Sequence, residues 1–187
     1  HGGSLRRPAT YTSVVGLRPS PGRVTRGTVN TMFSPLSVQG PMARNVADLA
    51  LFLDAMAGFC PTDPLTFDAP AVSFSQAVAE AKVPLRIAYA ETIGGSPVDK
   101  ETRDICREAM KIFQTLGAEV EEISIEIDDL EGTFLALRSQ QFVIDRELQL
   151  QSHRELIKPD IIWNTELGLK QLISDLAKAE RGRAVLY

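Results

Sequence analysis

Apolar residues recur along this chain with two different periods. Val46, Leu49, Ala50, Leu53, Met56 and Ala57 fall at helical spacing, and Gly58 follows as a stop, so a helix is predicted there. A second, short helix is predicted near Phe74 to Ala81. Pro84 then introduces Leu85 to Ala90, which reads as a strand. Asp99 is placed to cap a helix that aligns Ile105, Ala109, Ile112, Phe113 and Leu116 on one face, and Gly117 closes it. Ala118 to Ile125 reads as a further strand. Strand, helix, strand at this spacing predicts a β-α-β unit with parallel strands and a right-handed crossover.

The flanking regions are less regular. Tyr11 to Leu17 predicts a short strand. From Arg18 to Met42 the chain is punctuated by Pro19, Pro21, Gly22, Gly27, Pro35, Gly40 and Pro41, which excludes a long helix. A loop of this length in a compact domain is usually functional or wrapped tightly on the core. Leu130 to about Leu150 has a helical pattern with Arg138, Gln140 and Gln141 interspersed. Pro159 is expected to interrupt the chain, and a last helix is expected from about Thr165 to the end. There is no internal repeat and no sign of a flexible interdomain linker.

Composition narrows the class. With 44% apolar residues, 187 residues suffice for one sizeable core. The apolar stretches are too short to cross a bilayer, so no membrane association is expected. No secretory signal is visible at the start. Cys60 and Cys106 fit no metal or redox spacing and read as reduced thiols of a cytoplasmic protein. The net charge of −4 argues against direct nucleic-acid binding. The charge is unevenly spread. Residues 1–60 carry Arg6, Arg7, Arg18, Arg23, Arg26 and Arg44 against only Asp48 and Asp54. Scattered arginines in a Gly/Pro-rich segment more often tie loops together through backbone carbonyls than bind an anion.

The candidate chemistry lies at His1-Gly2-Gly3-Ser4-Leu5-Arg6-Arg7-Pro8-Ala9. Two glycines before a serine allow a sharp turn that exposes the hydroxyl and frees backbone N–H groups, as a nucleophile with an oxyanion hole requires. Gly-Gly-Ser alone is equally the composition of a linker. A serine needs a base, and none is convincing. His1 adjoins the motif, and His153 lies in the charged run Gln151 to Glu155. Lys82, Lys100 and Lys111 sit in polar surroundings. A nucleophile so near the start would lack most of its supporting structure, so the chain is expected to be an internal piece of a larger enzyme.

Three segments decide between nucleophile and linker. Gly2-Gly3-Ser4-Leu5-Arg6-Arg7-Pro8-Ala9 resembles the Gly-Gly-Ser-(Ile/Leu)-Arg-x-Pro-Ala motif of the amidase signature family. Val14-Val15-Gly16-Leu17-Arg18-Pro19 through Gly22-Arg23-Val24 is similar to that family's continuation. Gly40-Pro41-Met42-Ala43-Arg44-Asn45-Val46, with Asp48 and Ala50, resembles its Gly-Pro-Met-Ala-Arg helix start. Leu53-Asp54-Ala55-Met56-Ala57-Gly58 and Asp63-Pro64 also fit. The match covers about the first third of the chain; the remainder is generic or loosely similar.

The resemblance implies an α/β fold, a mixed twisted β-sheet covered by α-helices, of which residues 1–187 form part of a single domain. It implies a Ser–Ser–Lys triad with Ser4 as nucleophile. The bridging serine, which follows a cis peptide, and the lysine both map upstream of residue 1. Backbone N–H groups of His1, Gly2, Gly3 and Ser4 map to the oxyanion hole. Arg6 is expected to fix the loop behind the nucleophile, and Arg7 to face solvent or the pocket. Arg44 and Asp48 are expected to pair on one helix face, with Gly40 and Pro41 setting its approach angle. Residues 91–97 follow a strand end, where α/β sheets bind ligands.

The activity implied is hydrolysis of a small-molecule amide through an acyl-enzyme, with no metal or organic cofactor. The alternatives are the glutamine-hydrolysing subunit of a tRNA-dependent amidotransferase and a non-catalytic domain of the same fold. That subunit usually has Gln where Arg7 stands and differs at Pro35 to Val38 and at Met42-Ala43, which favours the stand-alone amidase. A homo-oligomer stays open.

Overall fold

A computed structural model describes residues 3–186. In chain order its elements are α1 (Arg6–Tyr11), β1 (Val15–Gly16), β2 (Met42–Ala43), α2 (Val46–Met56), α3 (Phe74–Ala79), β3 (Arg86–Tyr89), α4 (Lys100–Thr115), β4 (Glu119–Glu122), α5 (Leu130–His153), α6 (Pro159–Leu169) and α7 (Ile173–Val185). The chain divides into two compact units, residues 1–81 with 137–171 and residues 82–136 with 172–187, so α5 contributes to both. The α/β class is as expected. Its strands form two two-stranded sheets, one in each unit.

In the first unit β1 and β2 pair antiparallel, Val15 opposite Ala43 and Gly16 opposite Met42. The strand expected from Tyr11 to Leu17 is thus only Val15–Gly16; Tyr11 ends α1, and Thr12 and Ser13 form a turn before the strand. Asn45 caps α2: its side chain accepts the Asp48 N–H and donates to the Asp48 carboxylate, both at 2.8 Å. This capping replaces the Arg44–Asp48 pair expected from their spacing. Arg44 lies before the cap, so the two residues are not four apart on one helix. Leu49, Ala50 and Leu53 bury the inner face of α2. Pro41, before β2, is almost fully buried, and its carbonyl accepts the Leu17 N–H.

Pro159 starts a helix rather than merely breaking one. It occupies the first turn of α6, where its missing N–H and fixed φ cost nothing. The single last helix expected from Thr165 is therefore two. Leu172 opens the second by donating its backbone N–H to the Asp175 carboxylate at 2.9 Å. Within the first unit α6 meets α5 closely at Gly168, where a Cβ would lie 2.5 Å from the Ser139 carbonyl oxygen.

The second unit holds the predicted β-α-β arrangement. β3 and β4 pair parallel, from Arg86 opposite Glu119 to Tyr89 opposite Glu122, and Ile93 bridges Ile125 beyond them. Asp99 caps α4 by accepting the Glu101 N–H. The apolar face of α4 is only partly covered. Ala109 and Phe113 are half-buried, whereas Ile105 is 63% exposed. The segment after β3 is tied to α4, since Glu91 accepts from Arg107 at 2.9 Å and lies 3.8 Å from Arg103. In the same unit Lys178 of α7 pairs with Asp129 at 3.0 Å.

Candidate active site

Ser4 stands on a glycine-led turn. Gly3 has φ +100°, and a Cβ there would press within 3.2 Å of the Arg7 side chain, so only glycine suits the position. The Gly3 carbonyl accepts the Arg7 N–H at 2.8 Å, and the Leu5 carbonyl accepts the Ala9 N–H at 3.2 Å. These bonds start α1 immediately after the serine. The turn is backed by β1. Val14 donates to the Ala9 carbonyl at 3.0 Å, and Gly16 lies so close that an added Cβ would sit 2.7 Å from the Ala9 Cβ and 2.9 Å from the Leu5 oxygen.

Ser4 is exposed, and among the described residues its hydroxyl has no hydrogen-bond partner. The backbone N–H groups of Gly3 and Ser4 likewise donate to none of the described residues. His1 and Gly2, the other two positions mapped to the oxyanion hole, lie outside the described residues.

Two cavities flank Ser4. The smaller, about 90 Å³, is lined by Ser4, Arg6, Arg18 and Ser37 among others. The larger, about 590 Å³, brings Ser4 together with Arg7, Tyr11, Thr12 and Arg138. Among the described residues, no lysine, histidine or carboxylate lines either cavity. His153 is exposed at the end of α5 and hydrogen-bonds Ser152 at 2.7 Å. Lys100 and Lys111 pair with Asp104 and Glu108 on α4, and Lys82 is exposed. Among the described residues, groups of metal-ligating side chains are also absent.

Arg6 is exposed, and among the described residues its guanidinium has no hydrogen-bond or ion-pair partner. Other arginines tie the long loop. Arg26 donates to the Thr31 carbonyl at 3.2 Å, the Ser34 carbonyl at 2.7 Å and the Thr31 hydroxyl at 2.8 Å. Gln141 of α5 donates to the same Thr31 hydroxyl at 3.1 Å. The Arg26 N–H, with help from the Leu65 N–H and the Thr25 hydroxyl, holds the buried Asp63 carboxyl below the ordinary carboxylate range. Arg23 reaches the Asp68 carbonyl and stacks over Phe67, 4.3 Å from its centroid.

Sequence reasoning named Ser4, Gly3, Arg6 and Arg7 at this place. It missed Tyr11, Thr12, Arg18 and Arg138. The signal for Arg138 was an arginine set between apolar positions of a long helix, which also fits an ordinary solvated face.

Together these features define an α/β protein with an exposed serine on a tight turn beside a ligand-sized cavity. The sequence profile described as amidase matches residues 1–141, and the chain belongs to that family, the amidase signature enzymes. It is 39% identical over 124 residues to the glutamyl-tRNA(Gln) amidotransferase A subunit of Lysinibacillus sphaericus and 36% identical to that of Pseudomonas fluorescens. Each alignment covers 66% of this chain and 26% of the relative, so the chain spans about a quarter of their length. The fold matches a solved bacterial aryl acylamidase of the amidase signature family with a TM-score of 0.83 at 24% identity. That match covers 98% of this chain and 40% of the acylamidase.

Proposed function

We infer that the intact polypeptide carrying this chain is an amidohydrolase and that Ser4 is its nucleophile. Membership of the amidase family supports the reaction class, and the exposed, unpartnered hydroxyl after Gly3 supports the residue. The Ser4 oxygen attacks the amide carbonyl, and backbone N–H groups at Gly3 and Ser4 stabilise the oxyanion. One such donor contributes roughly 2.7–4 kcal/mol in a serine protease. The hydroxyl proton leaves through a base outside these residues and is delivered to the departing nitrogen. The C–N bond breaks, ammonia or an amine departs, and water hydrolyses the Ser4 ester to release the acid. The chemistry proposed calls on no metal or organic cofactor.

The substrate is proposed to be a small-molecule amide, bound without direct contact to nucleic acid or membrane. Among the described residues no helix is long and apolar enough to cross a membrane. A cytoplasmic location accords with Cys60 and Cys106 both being free thiols.

A second reading has its own support. The curated relatives are amidotransferase A subunits, so the intact protein could hydrolyse glutamine and pass ammonia to a partner. Arg7, where that subunit usually has Gln, favours the stand-alone amidase.

The test is Ser4→Ala in the intact protein, with fluorophosphonate labelling alongside. Loss of amide hydrolysis and of labelling is expected; unchanged turnover would refute the assignment. Copurification with a second subunit would favour the amidotransferase.

A further inference from the structure

Gln141 is buried in α5, only 3% exposed, yet half of its amide is unused. Its Nε2 donates to the Thr31 hydroxyl at 3.1 Å, while its Oε1 is buried and accepts from none of the described residues. One buried acceptor without a partner offsets much of what the other bond contributes, so a leucine would serve stability about as well. The reason for an amide at this place lies in what Thr31 holds.

Thr31 opens the span that walls the smaller cavity. Its hydroxyl accepts from Arg26 and Gln141 on its two lone pairs, and its carbonyl accepts the Ser34 N–H at 2.9 Å and Arg26 at 3.2 Å. The Ser34 carbonyl accepts the same guanidinium at 2.7 Å. Leu36, Ser37 and Val38 follow, and with Ser4 they line the cavity of about 90 Å³. The span closes at Gly40, which lies so near the Leu17 carbonyl that no Cβ fits.

The two ends of this wall are fixed differently. Beyond Gly40 the backbone holds it, since the Pro41 carbonyl accepts the Leu17 N–H at 3.1 Å. At Thr31 side chains hold it, and Gln141 is the link to α5. The same helix lines the larger cavity at Arg138, one turn before Gln141. One helix therefore bears on both cavities that flank Ser4.

We propose that Gln141 is a positioning residue for the reaction: through the Thr31 hydroxyl it sets the distance of the 36–38 wall from Ser4, and with it how tightly the smaller cavity grips the group bound there. The proposal rests on the reading of Ser4 as nucleophile and adds to it a residue that lines neither cavity.

The test follows inactivation of the intact protein by a fluorophosphonate–rhodamine probe over a range of probe concentrations. This separates non-covalent capture (KI) from the covalent step (kinact). Gln141→Leu and Gln141→Met remove the amide in two shapes. Both are expected to melt near the parent, to leave kinact unchanged and to raise KI about 3- to 10-fold, the range one neutral hydrogen bond allows. Thr31→Val is expected to raise KI in the same way, and Thr31→Ser, which keeps the hydroxyl, to stay with the parent. Gln141→Leu combined with Thr31→Val is expected to be no worse than Thr31→Val alone, because both remove the same bond. A merely structural role would lower the labelled fraction and the melting temperature and leave KI of the folded molecules where it was. The proposal is overturned by KI unmoved in both Gln141 variants, by failure of both to fold, by Thr31→Ser shifting as far as Thr31→Val, or by additive effects in the double variant. Labelling of the parent and its loss in Ser4→Ala are measured in parallel. An unlabelled parent, or a labelled Ser4→Ala, sinks the nucleophile reading and this proposal with it, so the two failures are distinguishable.

Discussion

The Asp54 carboxylate on α2 accepts the Ser75 hydroxyl at 2.6 Å and, through its two oxygens, the Ser75 and Phe74 N–H groups at 3.0 and 2.7 Å. One side chain thereby satisfies two N–H groups of the first turn of α3, beside the Ser73 hydroxyl that accepts the Gln76 N–H, and fastens the helix to α2. The Ser75 hydroxyl is the largest influence holding the Asp54 carboxyl below its ordinary range, with the two backbone N–H groups adding to it. A carboxyl whose folded value is lowered stabilises the fold above its unfolded value, near 3.9, and loses that contribution as pH falls through the folded value. Asp54→Asn is therefore expected to be less stable than wild type at pH 7. The gap should narrow as pH drops below about 4. Denaturant midpoints at several pH values measure this, and a gap independent of pH would contradict it.

Gly16 sets the position of the nucleophile from behind. A methyl group there collides with the Ala9 Cβ and the Leu5 carbonyl, and the Leu5 carbonyl belongs to the residue after Ser4. Relief must come from moving α1, because β1 is held by its pairing with β2. Gly16→Ala is expected to cost about 1–3 kcal/mol of stability. Amide turnover is expected to fall far more than that loss of folded protein explains, by about 10- to 100-fold. Thermal denaturation and steady-state kinetics on the intact protein separate the two effects. Turnover that tracks the folded fraction would show that the turn tolerates displacement.

The legible parts of this fold were those whose signal is local. Leu49, Ala50 and Leu53 recur at helical spacing and are buried on one face of α2, as the pattern required. Asp99 and Gly117 bounded α4 because a cap and a left-handed stop are local chemistry. By contrast, α1 carries no apolar period. Its six residues are held by the contact of Ala9 with Gly16, a tertiary fact. Pro159 was misread because proline at a first turn and proline as a breaker differ only in the conformation of the residues after it. At the site, the turn at Gly3-Ser4 was legible from its glycines. Arg138 was not, since it is far from Ser4 in sequence and only folding brings both to one cavity.

Arg26 is the tie that keeps the long Gly/Pro-rich loop in one conformation. Its guanidinium makes three hydrogen bonds to Thr31 and Ser34, while its own N–H bonds Asp63 at 2.8 Å. Arg26→Ala keeps the backbone bond to Asp63 and the Gln141 bond to the Thr31 hydroxyl, but strips the Thr31 and Ser34 carbonyls of their guanidinium donor. A loss of about 2–4 kcal/mol is expected. Arg26→Lys should recover little, because a single ammonium cannot span the Thr31 hydroxyl and two carbonyls in the geometry of a planar fork. Chemical denaturation of both variants checks this. Full rescue by lysine would mean that charge rather than geometry matters here.

The Gly168 contact extends the same reasoning to the helix that presents Arg138. A Cβ at this position would lie 2.5 Å from the Ser139 carbonyl oxygen and 2.6 Å from a Val143 methyl. Ser139 directly follows Arg138 and is completely buried, so it has no room to retreat. Gly168→Ala must therefore push α6 away from α5 or shift α5 itself, at a cost of about 1–3 kcal/mol. If α5 shifts, the wall of the larger cavity that Arg138 lines moves with it, and KM for an amide substrate should rise while kcat changes little. If α6 shifts, stability falls and KM stays as in the parent. Steady-state kinetics on the intact protein, beside a melting curve, tell which helix yields. A substitution that leaves both melting temperature and kinetics untouched would mean that the two helices do not meet at this distance.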